Sequence, residues 1–206
     1  MSNSRAKGLT HKDVLGMLSA VNDLYDGTGQ IFNQYLHQPA ANSIADLELK
    51  SFPEPGLVND VYYRGMLSME AAGDHLMGFT ACMAEPAKTL APATCVRGLL
   101  ESCALAAWLL DPDIDASTRM GRCFAFRYEG FVQQIKCLRV DKRQAEIDLV
   151  KKRMTQVEQD AVSLGYPRLL NNGAINGIAQ HMPGITELIG TTLDMETAYR
   201  LLSGVA

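Results

Sequence analysis

At 206 residues, with 47% apolar and 20% charged side chains, the chain is long enough to bury one sizeable core and has the composition of a soluble globular protein. A net charge of -4 excludes a surface coated in basic charge for DNA, though not a local basic groove. The first ten residues hold no apolar core for a signal peptide, and no run approaches the roughly 18 apolar residues of a membrane span. The expectation is a cytoplasmic protein with no membrane contact.

Taken in order, residues 1–10 read as a flexible N-terminus and 11–206 as a single helical-bundle domain. Helical periodicity starts at His11, with Val14, Leu15, Leu18, Val21, Leu24 and Tyr25 on one face and Thr10 as N-cap. Gly27-Thr28-Gly29 weakens this helix, which the pattern carries on to about Gln38, where Pro39 ends it. Residues 39–59, with three prolines and no sustained period, predict a long surface loop. A second helix is expected over Asp60–Ala84 and a third from Pro92 to Leu110, with Pro92 in its first turn. That third helix is apolar nearly all round and belongs at the centre of the bundle. Asp111-Pro112 closes it, and Asp115 or Ser117 caps a long fourth helix running towards Tyr166, with a kink or short turn between Leu138 and Ala145. Gly165-Tyr166-Pro167 ends that helix. A turn-rich connection follows, then a short helix after Pro183 and a terminal helix capped by Asp194. No stretch reads as a strand. The fold class is all-α, a bundle of five to seven helices with one long helix.

Chemistry is sparse. Cys82, Cys95, Cys103, Cys123 and Cys137 are odd in number and form no C-x-x-C, so they read as small buried hydrophobes in a reducing compartment. His11, His37, His75 and His181 are scattered and form no metal-ligand pattern; no P-loop, dinucleotide fingerprint or nucleophile elbow occurs. No metal and no cofactor is expected. Arg97 and Glu101, four apart on the apolar third helix, form either a structural pair or a pocket that presents the guanidinium to an anion beside Trp108. Arg119 and Arg122 either line an anion site or pair with Asp111, Asp113 and Asp115 at the corner. Lys136, Arg139, Lys142, Arg143, Lys151, Lys152 and Arg153 form a basic stripe with few aromatics, which reads as a solvated face more readily than as a nucleic-acid groove.

The stretch V-R-G-L-L-E-S-C-A-L-A-A-W-L-L-D-P and the closing Y-R-L-L-S, together spanning about Pro92 to Ala206, resemble a group of uncharacterised bacterial helical proteins. These pair an R-x-x-x-E…W-L-L-D-P helix with a C-terminal Y-R-x-L-S-x-x-x-H segment. That C-terminal pattern is in turn similar to the HEPN superfamily, whose RNA-cleaving members use Arg and His without metal, usually as dimers. The resemblance implies a histidine that handles the ribose 2′-OH proton and an arginine that stabilises the phosphorane. Arg200 matches the arginine; the matching histidine would fall immediately after Ala206. The expectations are therefore an HEPN-like RNA-cleaving or RNA-binding protein of a defence or toxin system, without its motif histidine in this chain, or a non-enzymatic helical interaction module or small-ligand sensor. A homodimer is expected through the long fourth helix or the terminal one.

Overall fold

The computed structural model describes residues 10–35, 38–84 and 86–205, which form eight helices and one small β-hairpin. The all-α bundle is what the chain folds into. The helix count rises because 44–51 adds a helix and the expected long fourth helix divides in two.

Helix α1 (His11–Tyr35) is capped reciprocally: Thr10 Oγ1 accepts from the Asp13 N–H at 3.2 Å, and Asp13 Oδ2 accepts from the Thr10 N–H at 2.8 Å. It runs unbroken through Gly27-Thr28-Gly29. Residues 1–9, expected to be loose, and 36–37, expected to be helical, lie outside the described residues. Within the expected loop stands α2 (Ile44–Ser51), whose N-cap Ser43 accepts from the Asp46 N–H at 3.3 Å. Helix α3 (Pro55–Met83) begins five residues before the expected start, with proline in its first turn, and is the longest at 29 residues.

Helix α4 (Ala91–Leu110) packs antiparallel on α3 through glycines. A Cβ on Gly65 would sit 2.4 Å from the Leu110 side chain, and one on Gly98 would sit 2.5 Å from the His75 ring. Only glycine permits this approach. By length and composition α4 is apolar enough to span a bilayer, because Arg97 and Glu101 are its only charges and do not outweigh its aliphatic residues. This amends the expectation that no stretch reaches that level.

The chain turns at Asp111 into α5 (Ala116–Val140), capped by Asp115, whose Oδ1 accepts from the Thr118 N–H at 2.7 Å. It reverses at 141–143, where Lys142 is left-handed (φ 55°), into α6 (Gln144–Ser163). The short turn expected near 138–145 is thus a full hairpin. Contrary to the strand-free reading, β1 (Arg168–Asn171) and β2 (Ala174–Ile178) pair antiparallel. Their turn is Asn172-Gly173, both at positive φ, a two-residue connection that Asn-Gly favours. The strands are too short to show alternation in sequence. Helices α7 (Ile185–Leu193) and α8 (Glu196–Val205) complete the described chain. Asp194, read as the cap of the terminal helix, is the left-handed C-cap of α7 (φ 55°), its N–H reaching Gly190 O.

The main core gathers Val58, Val61, Trp108, Leu109, Met120, Leu188, Ile189 and Tyr199 from α3, α4, α5, α7 and α8. A second cluster joins Phe124 and Tyr128 to Val157, Ala161 and Ile178. A third, Ile135 with Ile147 and Val150, zips the α5–α6 hairpin.

Candidate functional site

Of the arginines singled out by sequence, Arg97, Arg119 and Arg122 fall in three separate clusters and Arg200 stands apart. Arg119 is 1% exposed, and its guanidinium is enclosed. Its Nε donates to both Glu48 oxygens at 3.1 and 3.3 Å, Nη1 to Leu109 O at 3.0 Å and Nη2 to Ile114 O at 3.3 Å, while the Tyr62 ring lies 5.4 Å away. The Tyr62 hydroxyl donates to Glu48 Oε2 at 2.9 Å. Burial, then this bond, pushes its pKa above the usual tyrosine value. The partner is Glu48 of the helix missed in sequence, not the corner acids. Every donor in this cluster points inward, so Arg119 clasps α2 to the α4–α5 corner and presents nothing to an outside anion.

Arg122 donates to Trp108 O at 2.6 Å and to Asp111 Oδ2 at 3.1 Å, and stacks 5.5 Å from the Trp108 ring. Asp111 titrates below the usual carboxylate range, chiefly because the Asp113 N–H donates to it and secondarily because of Arg122. This is the corner pairing that the acidic residues suggested.

Arg97 and Glu101 do pair, at 2.9 Å, but their side chains are 39% and 36% exposed instead of buried. Buried Tyr199 of α8 completes the cluster, donating to Glu101 Oε1 at 2.7 Å with its ring 5.4 Å from the Arg97 guanidinium. Trp108 lies two turns further along α4 and belongs to the Arg122 cluster, so the pocket imagined for Arg97, Glu101 and Trp108 is not assembled. Arg200 is exposed and bonds Glu196 on its own helix at 2.8 Å. It borders a shallow depression that also holds Glu187, Asp194 and Glu196, acids that oppose a phosphate there.

A fourth cluster was not read from sequence. Asp60 of α3 accepts from Arg64 Nε at 3.1 Å, contacts Arg127 Nη1 at 3.3 Å and faces the Cys123 thiol at 3.8 Å. Burial, reinforced by the Asp60 charge, pushes that thiol up to about 12. Arg127 Nε is buried with no hydrogen-bond partner among the described residues. Cys123 and Arg127 lie more than sixty positions from Asp60, a separation with no motif signature, and only Arg64, one turn along α3, is a local partner.

The other feature without a sequence signature is incomplete burial. None of the described residues from 73 to 103 is buried, although Leu76, Met77, Phe79, Met83, Leu90, Val96, Leu99 and Leu100 lie there. Only 22% of the most apolar window of α4 is buried, all of it towards Trp108 and Leu109. Beside this surface, α1 lies antiparallel to α3 with Tyr25 against Gly73. Its Met17, Leu24 and Ile31, spaced by seven, stand 54%, 65% and 62% exposed. The helix that composition placed at the centre is central only in its last two turns. No family model, curated protein or solved structure matches the chain.

Proposed function

We propose that the protein is a non-enzymatic helical interaction module that pairs with a second copy of itself through the open end formed by α1, the C-terminal half of α3 and the N-terminal half of α4. The observation that carries this reading is the set of apolar residues between 73 and 103, none of which is buried among the described residues. Contiguous apolar surface on this scale marks an interaction site. The three helix segments offer roughly 600 Å² of face before side-chain relief, close to the ~800 Å² per partner of a stable interface. In a two-fold pairing one patch meets itself. Charges are sparse over residues 75–107, which hold only Glu85, Lys88, Arg97 and Glu101.

Sedimentation across micromolar concentrations tests this. The wild type is expected to be dimeric, and Met77→Glu or Leu24→Glu, both exposed in the monomer, to be monomeric with unchanged helicity. Leu170→Glu, equally exposed on the β-hairpin, leaves the dimer intact. A monomeric wild type, or one that instead floats with phosphatidylglycerol vesicles, overturns the reading.

An HEPN-like RNA-binding role is the second reading. It is supported by the exposed Arg200 and by the α5–α6 hairpin, where seven cationic side chains against three anionic ones span 136–153, the cations all exposed. Fluorescence anisotropy with a labelled single-stranded RNA at low salt tests it. Binding weakened by Arg139→Glu and Lys152→Glu supports it, whereas binding indifferent to both removes it.

A further inference from the structure

We infer that the cavity between α2, α3 and the segment 38–43 is a binding site for a neutral, mainly apolar small molecule bearing one hydrogen-bond donor. Its volume of about 790 Å³ lies within the range of small-molecule pockets, roughly 300–1,000 Å³. Pro39, Leu49, Met66 and the rings of Tyr62 and Tyr63 give it apolar walls, and among the described residues Asp60 is the one charged side chain lining it.

The state of that carboxylate selects the ligand. Arg64, Arg127 and Cys123 all approach Oδ2, and among the described residues none bonds Oδ1. The protein therefore fixes the carboxylate through one oxygen and leaves the other as an acceptor for whatever enters the cavity. Two guanidiniums already share this single negative charge, so an ammonium would meet an excess of positive charge around its counter-ion. An anion would meet the carboxylate itself. A neutral N–H or O–H satisfies Oδ1 with neither penalty.

The walls are held in advance of binding. Tyr62 is fixed by its bond to Glu48 and by the Arg119 guanidinium, and the same Glu48–Arg119 contact holds α2 over the cavity. Such pre-ordering lowers the entropy lost on binding. The site sits at the N-terminal half of α3, some seventeen residues from Met77, and stands independently of the self-association proposed above.

Indole and 1-methylindole, titrated by calorimetry, differ in the one donor that the site requires. Indole is expected to bind with one site per chain and 1-methylindole about tenfold more weakly, the effect of losing a hydrogen bond to a charged acceptor. Gly56 lines the cavity in the first turn of α3, and a Cβ there meets nothing within 4 Å. Gly56→Leu therefore adds bulk to the lining from a Cβ that meets no neighbour, and is expected to abolish indole binding while the melting curve is kept. Absence of indole binding, equal binding of the two probes, or unchanged binding by Gly56→Leu would each overturn the inference.

Discussion

The two ends of the α3–α4 pair are built from similar residues but differ in what covers them. At the corner end, Val58, Val61, Leu109 and Phe124 are essentially inaccessible, and Arg119 is enclosed with its acid partner. At the open end, Leu76, Phe79, Val96 and Leu99 are no less apolar, yet none is buried, and the Arg97–Glu101 pair remains half in water. Apolar character therefore sets only the capacity for burial; the neighbours contributed by α2, α5, α7 and the β-hairpin complete it at the corner end, while the open end stays half-buried. The α3–α4 pair is finished on one side and unfinished on the other.

The largest expected differences between the ends come from charge. Removing one partner at the corner, by Arg119→Ala or Glu48→Ala, strands a buried ion and should cost about 3–5 kcal/mol in urea unfolding. Arg97→Ala, at an exposed pair, should cost no more than about 1 kcal/mol. Equal losses at both sites would erase the distinction. Truncation of core residues comes next. Phe124→Ala should cost about 3–5 kcal/mol at any protein concentration. Leu99→Ala should cost much less in the dilute monomer, and more as concentration rises and the second copy covers it.

Thiol chemistry sharpens the same contrast. At pH 8 exposed Cys137 should react with a disulfide reagent within the mixing phase, whereas Cys123, with its thiol pushed up to about 12, should react only on unfolding. The half-buried Cys82, Cys95 and Cys103 of the open end should react more slowly than Cys137, since burial raises the Cys95 and Cys103 thiols, and more slowly still in concentrated protein. Reactivity at these three that ignores concentration counts against self-association.

The smallest effect is on pH dependence. Burial raises the pKa of Tyr62 and Tyr199, and the hydrogen bonds each donates to a glutamate raise it further. An acid whose folded pKa is raised is favoured in its protonated form, so its stabilisation is complete below the unfolded tyrosine value near 10 and is lost as pH climbs above it. Tyr62→Phe should lessen the alkaline fall in stability measured between pH 9 and 11, and Tyr199→Phe should lessen it by a smaller amount. A fall unchanged in both variants would show that neither hydroxyl contributes.

Much of the helical framework was legible in sequence. Thr10, Pro92 and Asp115 mark helix starts because capping is a local interaction, and the Leu138–Ala145 polar interval marks the place where two helices part. The missing helix, α2, had its own signal in the Ser43-x-x-Asp46 spacing, masked by prolines on either side. The hairpin had Asn172-Gly173, but strands of four and five residues carry no readable period. Arg97 with Glu101 was legible because helix geometry makes fourth neighbours meet. Arg119 with Glu48, and Asp60 with Cys123 and Arg127, were not, because tertiary packing alone brings together residues sixty or seventy apart. Hydrophobicity also misplaced the first half of α4 at the centre of the bundle, since composition cannot tell a surface covered by its own chain from one left for another.

Hydrogen exchange at two protein concentrations is the most direct test of the open end. The account predicts that amides of residues 73–83 and 91–103 gain protection on concentration while those of the corner, around Trp108 and Met120, stay unchanged. Protection that is identical at both concentrations along the whole of α3 and α4 would contradict it.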